Sequence, residues 1–459
     1  MTKTTNLRAT FMALIAAGAV SLGACDASLF DVKNPGRILD DDLNTAEGVN
    51  ALVTGMSSDF SASYDDLTFM VARLTDELVG SGSYFSTGRL RRGLFDSEDS
   101  DGYWNGVQRA RWVAEGGLIR MAAIEGYTFE NNPNTARAYL FAGMANRWFG
   151  ENFCEVVFSK PYTDENPGPA GEVDTGAPLP RSAAFTRAIP ALTAAVSHGN
   201  GAGADDIVNA ARGTLAQVYV GLGDWQNALN FAAQVPTDFV YSAEYSSNSG
   251  REESQVYNET HRRSESSAIM TTAGTVGAND PRTPWTNCYD PANGCSQGIR
   301  NGADGTTPHY RQDKYATLDD DIPVVKGTEM RLIEAEAALL NGDLGTFIAK
   351  INDVRTFWEL DPIDPGAVTG VGSLTGDPET RSAHKTSMNG WDILDRERSL
   401  TNWLEGRRLW DLHRWDHPYL TGGGIIYETT VARRASCLPI SDQECQVNEN
   451  VDSSKCFTI

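Results

Sequence analysis

The clearest periodicity lies near the middle of the chain. Leu215, Val218, Tyr219 and Leu222 recur at i, i+3, i+4 and i+7, one face of an α-helix. Gly223 then supplies a left-handed helix stop, and Asp224 a cap for the next helix. Trp225, Ala228, Leu229 and Ala232 repeat the spacing. Two short amphipathic helices joined by a Gly-Asp turn predict a helical hairpin of tetratricopeptide type. Met330 to Leu340, Asn341-Gly342-Asp343 and Leu344 to Val354 repeat the plan. Helical spacing also runs from Thr45 through Val49, Leu52 and Met56, then over Tyr103 to Ala123 and Thr135 to Phe149. Trp104, Trp112, Trp148, Trp225, Trp403 and Trp410 fall at helical positions and are assigned to the core. The chain is therefore read as mostly α, with hairpins over about 45–235 and 322–355.

Between the hairpins the pattern dissolves. Residues 237–321 have little periodicity and many Ser, Asn, Gly and Thr, and a second excursion, 361–389, is rich in Gly and Thr. Loops of this length in a folded chain are functional or disordered. A rigid scaffold carrying long loops is a common plan for a binding protein.

The first 24 residues change the picture from a plain repeat protein to an exported one. Lys3 and Arg8 precede an apolar stretch from Ala9 to Leu22, too short to span a bilayer. Leu22-Gly23-Ala24 and then Cys25 form a lipobox pattern, in which Cys25 would carry the acyl chains of a membrane anchor. The chain has 61 acidic and 38 basic residues, a net charge of -23. Nucleic acid is excluded as a partner, because phosphate binding needs clustered Lys and Arg. Six further cysteines in an exported chain predict disulfides. Cys288 and Cys295 flank a short turn and are expected to pair; the partners of Cys154, Cys437, Cys445 and Cys456 stay open. Three of these four lie in a Cys-rich tail, 437–459.

Enzymatic signals are weak. His413 and His417 stand at i, i+4 but lack the glutamate and third ligand of a zinc site. Gly370, Gly372 and Gly376 miss the dinucleotide-binding spacing, and there is no nucleophile elbow. Acidic turns at Asp40 to Asp42, Asp96 to Asp101 and Asp319 to Asp321 read as solvated loops. No catalytic residue, metal or cofactor is assigned.

One long run carries a resemblance. Glu397-Arg398, Glu405-Gly406-Arg407, Asp411-Leu412 and Arg414-Trp415, within a helix read over 391–415, resemble the signature of the SusD/RagB family; Asn402 stands where the family has Glu. Asp31 to Pro35, Ala211 to Ala232, Ile322 to Ala337 with Asn352 to Arg355, and Leu438-Pro439-Ile440 also resemble family segments in order. The resemblance implies a SusD-like fold over 25–459, with helical hairpins supporting a loop-rich ligand-binding half. It implies an outer-membrane lipoprotein that captures an oligosaccharide, or in some branches a peptide, for a SusC-like TonB-dependent transporter and catalyses nothing. Arg407, Asp411 and Arg414 are expected to pair along the signature helix as a structural ion network.

Sugar rings present C–H faces that stack on aromatic planes. The loop aromatics Tyr84, Phe85, Trp285, Tyr289 and Tyr310 are therefore the candidate ligand contacts. A helical-repeat adaptor of the cell envelope, which needs no small ligand, is the alternative from another class.

Overall fold

Apolar spacing becomes packing along the first half of the chain. Helices α1 (Val49–Leu74), α2 (Phe85–Arg91), α3 (Ser97–Ala123), α4 (Pro133–Asn152), α5 (Ser182–Ala202), α6 (Asp205–Leu222) and α7 (Trp225–Ala232) follow in order. Successive neighbours pack side by side, α4 against α3 and α5, and α5 against α6. The computed structural model describes residues 43–159, 176–269, 271–293, 295, 299–421 and 433–456. All but residues 43 and 44 belong to one unit, Thr45–Ile459. The segment 1–24, Cys25 and Asp40 to Asp42 lie outside the described residues.

Both hairpins turn where the sequence places the turn. Gly223 closes α6 at φ +71°, and the Asp224 side chain accepts the Asn227 N–H at the start of α7. Helix α8 (Gly327–Leu340) meets α9 (Leu344–Phe357) through Gly342, at φ +73°, and Asp343 caps α9 by accepting the Thr346 N–H. Two cores result. The larger gathers Phe60, Tyr64, Phe141 and Trp148, with the Tyr64 and Trp148 rings 4.5 Å apart. The smaller joins α8 and α9 to α10 (Gly390–Thr401) through Leu332, Phe347, Ile351 and Ile393.

Four two-stranded antiparallel sheets tie the loops down among the described residues. β1 (Leu78–Gly80) pairs with β5 (Ser266–Ala268), and β2 (Glu155–Val156) with β3 (Leu179–Pro180). β4 (Val240–Ala243) pairs with β8 (Ile322–Lys326), and β6 (Trp285–Asn287) with β7 (Tyr310–Gln312). The β4–β8 pair clamps the first excursion at its base: the chain leaves after α7 and returns directly into α8. Disulfides add three staples. Cys288 joins Cys295 as expected, Cys154 joins Cys437, and Cys445 joins Cys456. No helix of the described residues is long and apolar enough to cross a membrane.

Three expectations need correction. The signature is not one helix: it is α10 and α11 (Arg408–Arg414), separated by a turn in which Leu404 and Gly406 have φ +57° and +69°. Gly406 is there for contact as well as conformation, since a Cβ would lie 2.3 Å from the Trp148 ring. Asp96 to Asp101 is not a solvated loop but the start of α3. The side chain of fully buried Asp96 accepts the Asp99 N–H in a capping box, and both carboxylates receive Arg89, Asp96 at 2.7 Å. Asp319 to Asp321 does lie at a surface turn. Among the tryptophans, Trp104, Trp148, Trp403 and Trp410 are buried, but Trp112 and Trp225 are only partly so.

Candidate functional site

The loop half is built outward from β1. Burial of α1 positions Asp76 and Glu77, and β1 then carries the chain to an exposed turn at Tyr84 and Phe85, where α2 begins. Ser81 fastens this turn: its carbonyl accepts the Asp304 N–H at 2.8 Å, and its hydroxyl donates to the Ser264 carbonyl at 2.8 Å. β5 continues the layer, and the Ser267 hydroxyl accepts the Tyr310 N–H at 2.7 Å, joining β5 to the β6–β7 hairpin. Cys288 follows β6 directly and donates its N–H to the His309 carbonyl, just before β7. A continuous chain of backbone pairing thus links the segments that carry all five candidate aromatics.

The five differ in exposure. Tyr84 is 69% exposed, Phe85 79% and Tyr289 54%. Trp285 and Tyr310 pack edge to face, with ring centroids 5.8 Å apart, and lean on the larger core. Tyr84 and Tyr289 offer exposed ring faces, Phe85 has the Arg89 guanidinium 5.7 Å from its ring centre, and the last two anchor the hairpin and leave part of their surface open. Polar groups lie beside them: Arg311 pairs with Asp313 at 2.7 Å, and Asp313 also accepts the Thr286 hydroxyl.

Beneath this half lies a network of buried charge that sequence reasoning saw only in part. Arg408 grips Asp76 at 2.6 and 2.8 Å and also holds Asp395, which Arg381 meets at 3.0 Å and His417 at 3.0 Å. Glu397 is held at 2.7 Å by both Arg282 and Arg355. Burial pushes each carboxyl upward, but guanidinium groups outweigh it: Arg408 holds Asp76, Arg282 holds Glu397 and Arg398 holds Asp411 down at about 2. Arg407 caps α11, and its carbonyl accepts the Asp411 N–H, but its guanidinium turns away to hold Glu151 and Glu329 instead of the Asp411 carboxylate. Asp411 takes Arg398 and Arg414, both at 2.8 Å. His413 and His417 also part company, His413 toward Ser436 and His417 toward Asp395. Asp76, Arg282 and Arg381 carry no local signal in sequence, since only the fold brings them to the signature.

A small cavity of about 330 Å³ opens where the first excursion meets the hairpins. Phe357 and Trp358 form one wall, and Arg282, Lys314, Lys326 and Glu405 offer charge. Glu405 bridges both lysines, at 2.7 Å from Lys314 and 2.8 Å from Lys326. Burial lowers Lys326 to about 8, with Glu405 opposing the shift.

Residues 244–454 match the SusD family model, a span that includes the signature turn and its network. The matched segment belongs to the SusD family. No curated protein matches it in sequence. Solved SusD structures match over most of the chain at low identity. A SusD homolog from Bacteroides thetaiotaomicron VPI-5482 is 15% identical, with 89% of this chain and 97% of that one covered at a TM-score of 0.65. A SusD-like carbohydrate binding protein from Bacteroides vulgatus ATCC 8482 is 14% identical, with 90% and 98% covered at 0.62. A laminarin binding SusD-like protein is 16% identical, with 86% and 97% covered at 0.56. At such identities the likeness to these structures establishes a shared SusD fold.

Proposed function

We propose that this SusD family chain is a non-catalytic surface lipoprotein, anchored through Cys25, that captures an oligosaccharide and passes it to a SusC-like TonB-dependent transporter in the outer membrane. The observation that carries this reading is the exposure of Tyr84, Phe85 and Tyr289 on a backbone-braced layer. Exposed rings bury little surface in the fold, yet they are the surface on which a sugar ring stacks, each worth about 1 kcal/mol. That two structural relatives are described as carbohydrate binding and laminarin binding supports the same class of ligand.

Two measurements test it. Affinity purification of the acylated protein from detergent-solubilised membranes should recover a large TonB-dependent barrel in near-equal amount; recovery of other envelope proteins without a barrel favours the adaptor. Tyr84→Ala and Tyr289→Ala should each weaken retention on soluble glycan about 5-fold, from about 1 kcal/mol of lost stacking. Unchanged retention would remove the aromatic layer from the site.

A peptide-capturing role is the second reading, and the 330 Å³ cavity favours it: charges of both signs beside Phe357 and Trp358 suit a peptide terminus. Phe357→Ala would then weaken peptide binding and leave glycan retention untouched.

A further inference from the structure

A second groove lies far from the aromatic layer in both sequence and elements. It encloses about 760 Å³ between the α6–α7 turn, the end of α8, the loop 372–374 and the start of α10 together with the end of α11. That volume is in the range of small-molecule sites. No residue of 78–91 or 264–312 lines it. Its walls carry Trp225, Trp391 and Trp415, each only partly buried.

The groove is held in shape by its own polar groups. Trp415 donates its indole N–H to Glu336 at 2.7 Å, Arg414 donates to the same carboxylate at 2.7 Å, and the Arg414 guanidinium lies 4.6 Å from the Trp415 ring centre. Trp391 meets Trp415 edge to face at 6.0 Å. The indole N–H groups of Trp225 and Trp391 have no hydrogen-bond partner among the described residues, so both are available as donors. At the mouth Asp416 takes a left-handed φ of +45°, uncommon for a residue with a side chain, and holds its carboxylate out to Arg433 at 2.7 Å. Such conformations cluster at ligand sites. Arg414 is taken up by Glu336 and Asp411, and Arg433 by Asp416, so the groove presents no free positive charge to an acidic ligand.

We propose that this groove is a second saccharide-binding subsite for a neutral oligosaccharide, which stacks on Trp225 and Trp391 and places hydroxyls against their indole N–H groups and the carboxylate of Asp416. Three indoles give the ring faces, the fixed ion pair gives a rigid wall, and the lack of a free positive charge selects a neutral ligand over an acidic one. A longer glycan could then be held at two places on one chain, once on the loop half and once on the helical half. The inference rests on the reading of the chain as a glycan-capture protein, but on none of the residues that carry that reading.

The test is native mass spectrometry and tryptophan fluorescence titration of the full acylated protein in detergent with laminarihexaose, maltohexaose, cellohexaose and xylohexaose. The wild type should take up two molecules of its preferred hexasaccharide with a change in tryptophan emission. Trp225→Ala with Trp391→Ala should take up one and lose the emission change, while Tyr84→Ala with Tyr289→Ala should lose the other. Trp391→Phe keeps a stacking face and the fold; it should retain the second molecule with affinity lowered about 5-fold, and it decides the matter if the double alanine variant does not fold. A stoichiometry of one that the tryptophan variants leave unaltered overturns the proposal. Loss of all binding in the tryptophan variants, with none in the tyrosine variants, sustains the groove and removes the aromatic layer instead. Failure of all four sugars to bind the wild type overturns both.

Discussion

Glu77 gives the sharpest quantitative handle on how the loop half is held. It is fully buried just before β1 and accepts the N–H of Leu404, in the left-handed part of the signature turn, at 2.7 Å. Burial pushes its carboxyl from 4.5 up to about 8, aided by Asp76 and opposed by the Leu404 N–H. The unfolded chain therefore loses this proton near pH 4.5 and the folded chain only near 8, so stability falls as pH rises between those values. The slope is about 1.4 kcal/mol per pH unit, and the whole interval sets a ceiling of about 5 kcal/mol. Burial also raises the Asp65 carboxyl well above its usual range, but that contribution is common to the wild type and a Glu77 variant and cancels between them. Asp66 is raised only to about 6, His309 and His413 are lowered to about 4, and Lys326, lowered to about 8, takes effect above that pH. From about pH 6.5 to 8 the expected Glu77 contribution is about 2 kcal/mol. Glu77→Gln keeps an acceptor for Leu404 and cannot ionise. Unfolding in urea across pH 6 to 9, with the disulfides intact, should show the variant gaining about 2 kcal/mol on the wild type over that window. In thermal melts this corresponds to about 2 °C, at roughly 2 cal/mol/K of unfolding entropy per residue. A difference between the two proteins that stays constant with pH, within about 0.5 kcal/mol, would refute the neutral buried carboxyl.

Further outcomes follow from the same geometry. Gly406→Ala forces a Cβ into the Trp148 ring at a left-handed position and should cost about 2–4 kcal/mol, read as a lowered melting temperature. Opening Cys154–Cys437, which closes 283 residues, should cost about 5 kcal/mol, against about 2 for Cys288–Cys295, which closes 7; paired serine variants compared by urea midpoint give the ratio. Asp76, Glu397 and Asp411, held at about 2, support the fold above their unfolded values near 4, and that support is lost as pH falls from there through 2. Unfolding followed by circular dichroism should therefore show a steep loss of stability below about pH 4. Arg407→Ala leaves Glu151 and Glu329 buried without their guanidinium and should cost about 3–5 kcal/mol in the same urea assay.

What could be read from sequence was whatever is encoded locally. The stops at Gly223 and Gly342, and the caps at Asp224 and Asp343, depend on residues within one turn, and they form where expected. The break inside 391–415 was hidden because Thr401 to Arg407 continues an apolar and charged pattern that a helix would also satisfy. The turn is imposed from outside, by Glu77 capturing the Leu404 N–H and by Lys314 and Lys326 drawing Glu405 away. Likewise Asp96 to Asp101 looks like a solvated acidic loop until Arg89 is seen to pair with it. Exposed aromatics and anchoring aromatics have the same letters; only packing distinguishes Tyr289 from Trp285. Trp225 carries the spacing of a core residue, yet stands at the first position of α7 beside a turn, where its ring is half free.

The placement of the charges explains how loops this irregular are held in place. Each excursion sends basic side chains down to the acids of α10 and its turn: Arg282 to Glu397 and Lys314 to Glu405 from the first, and Arg381 to Asp395 from the second. Glu397 also meets Arg355 of α9 and Glu405 meets Lys326 at the entry to α8, while Asp395 takes Arg408 and His417. An acid shared by a loop and a hairpin fixes the loop's base while leaving its tip unconstrained by secondary structure. Replacing such pairs with apolar residues could match them in stability, but apolar contacts are non-directional and would not fix where the loop leaves the scaffold. On this argument the signature turn is a junction that sets loop position.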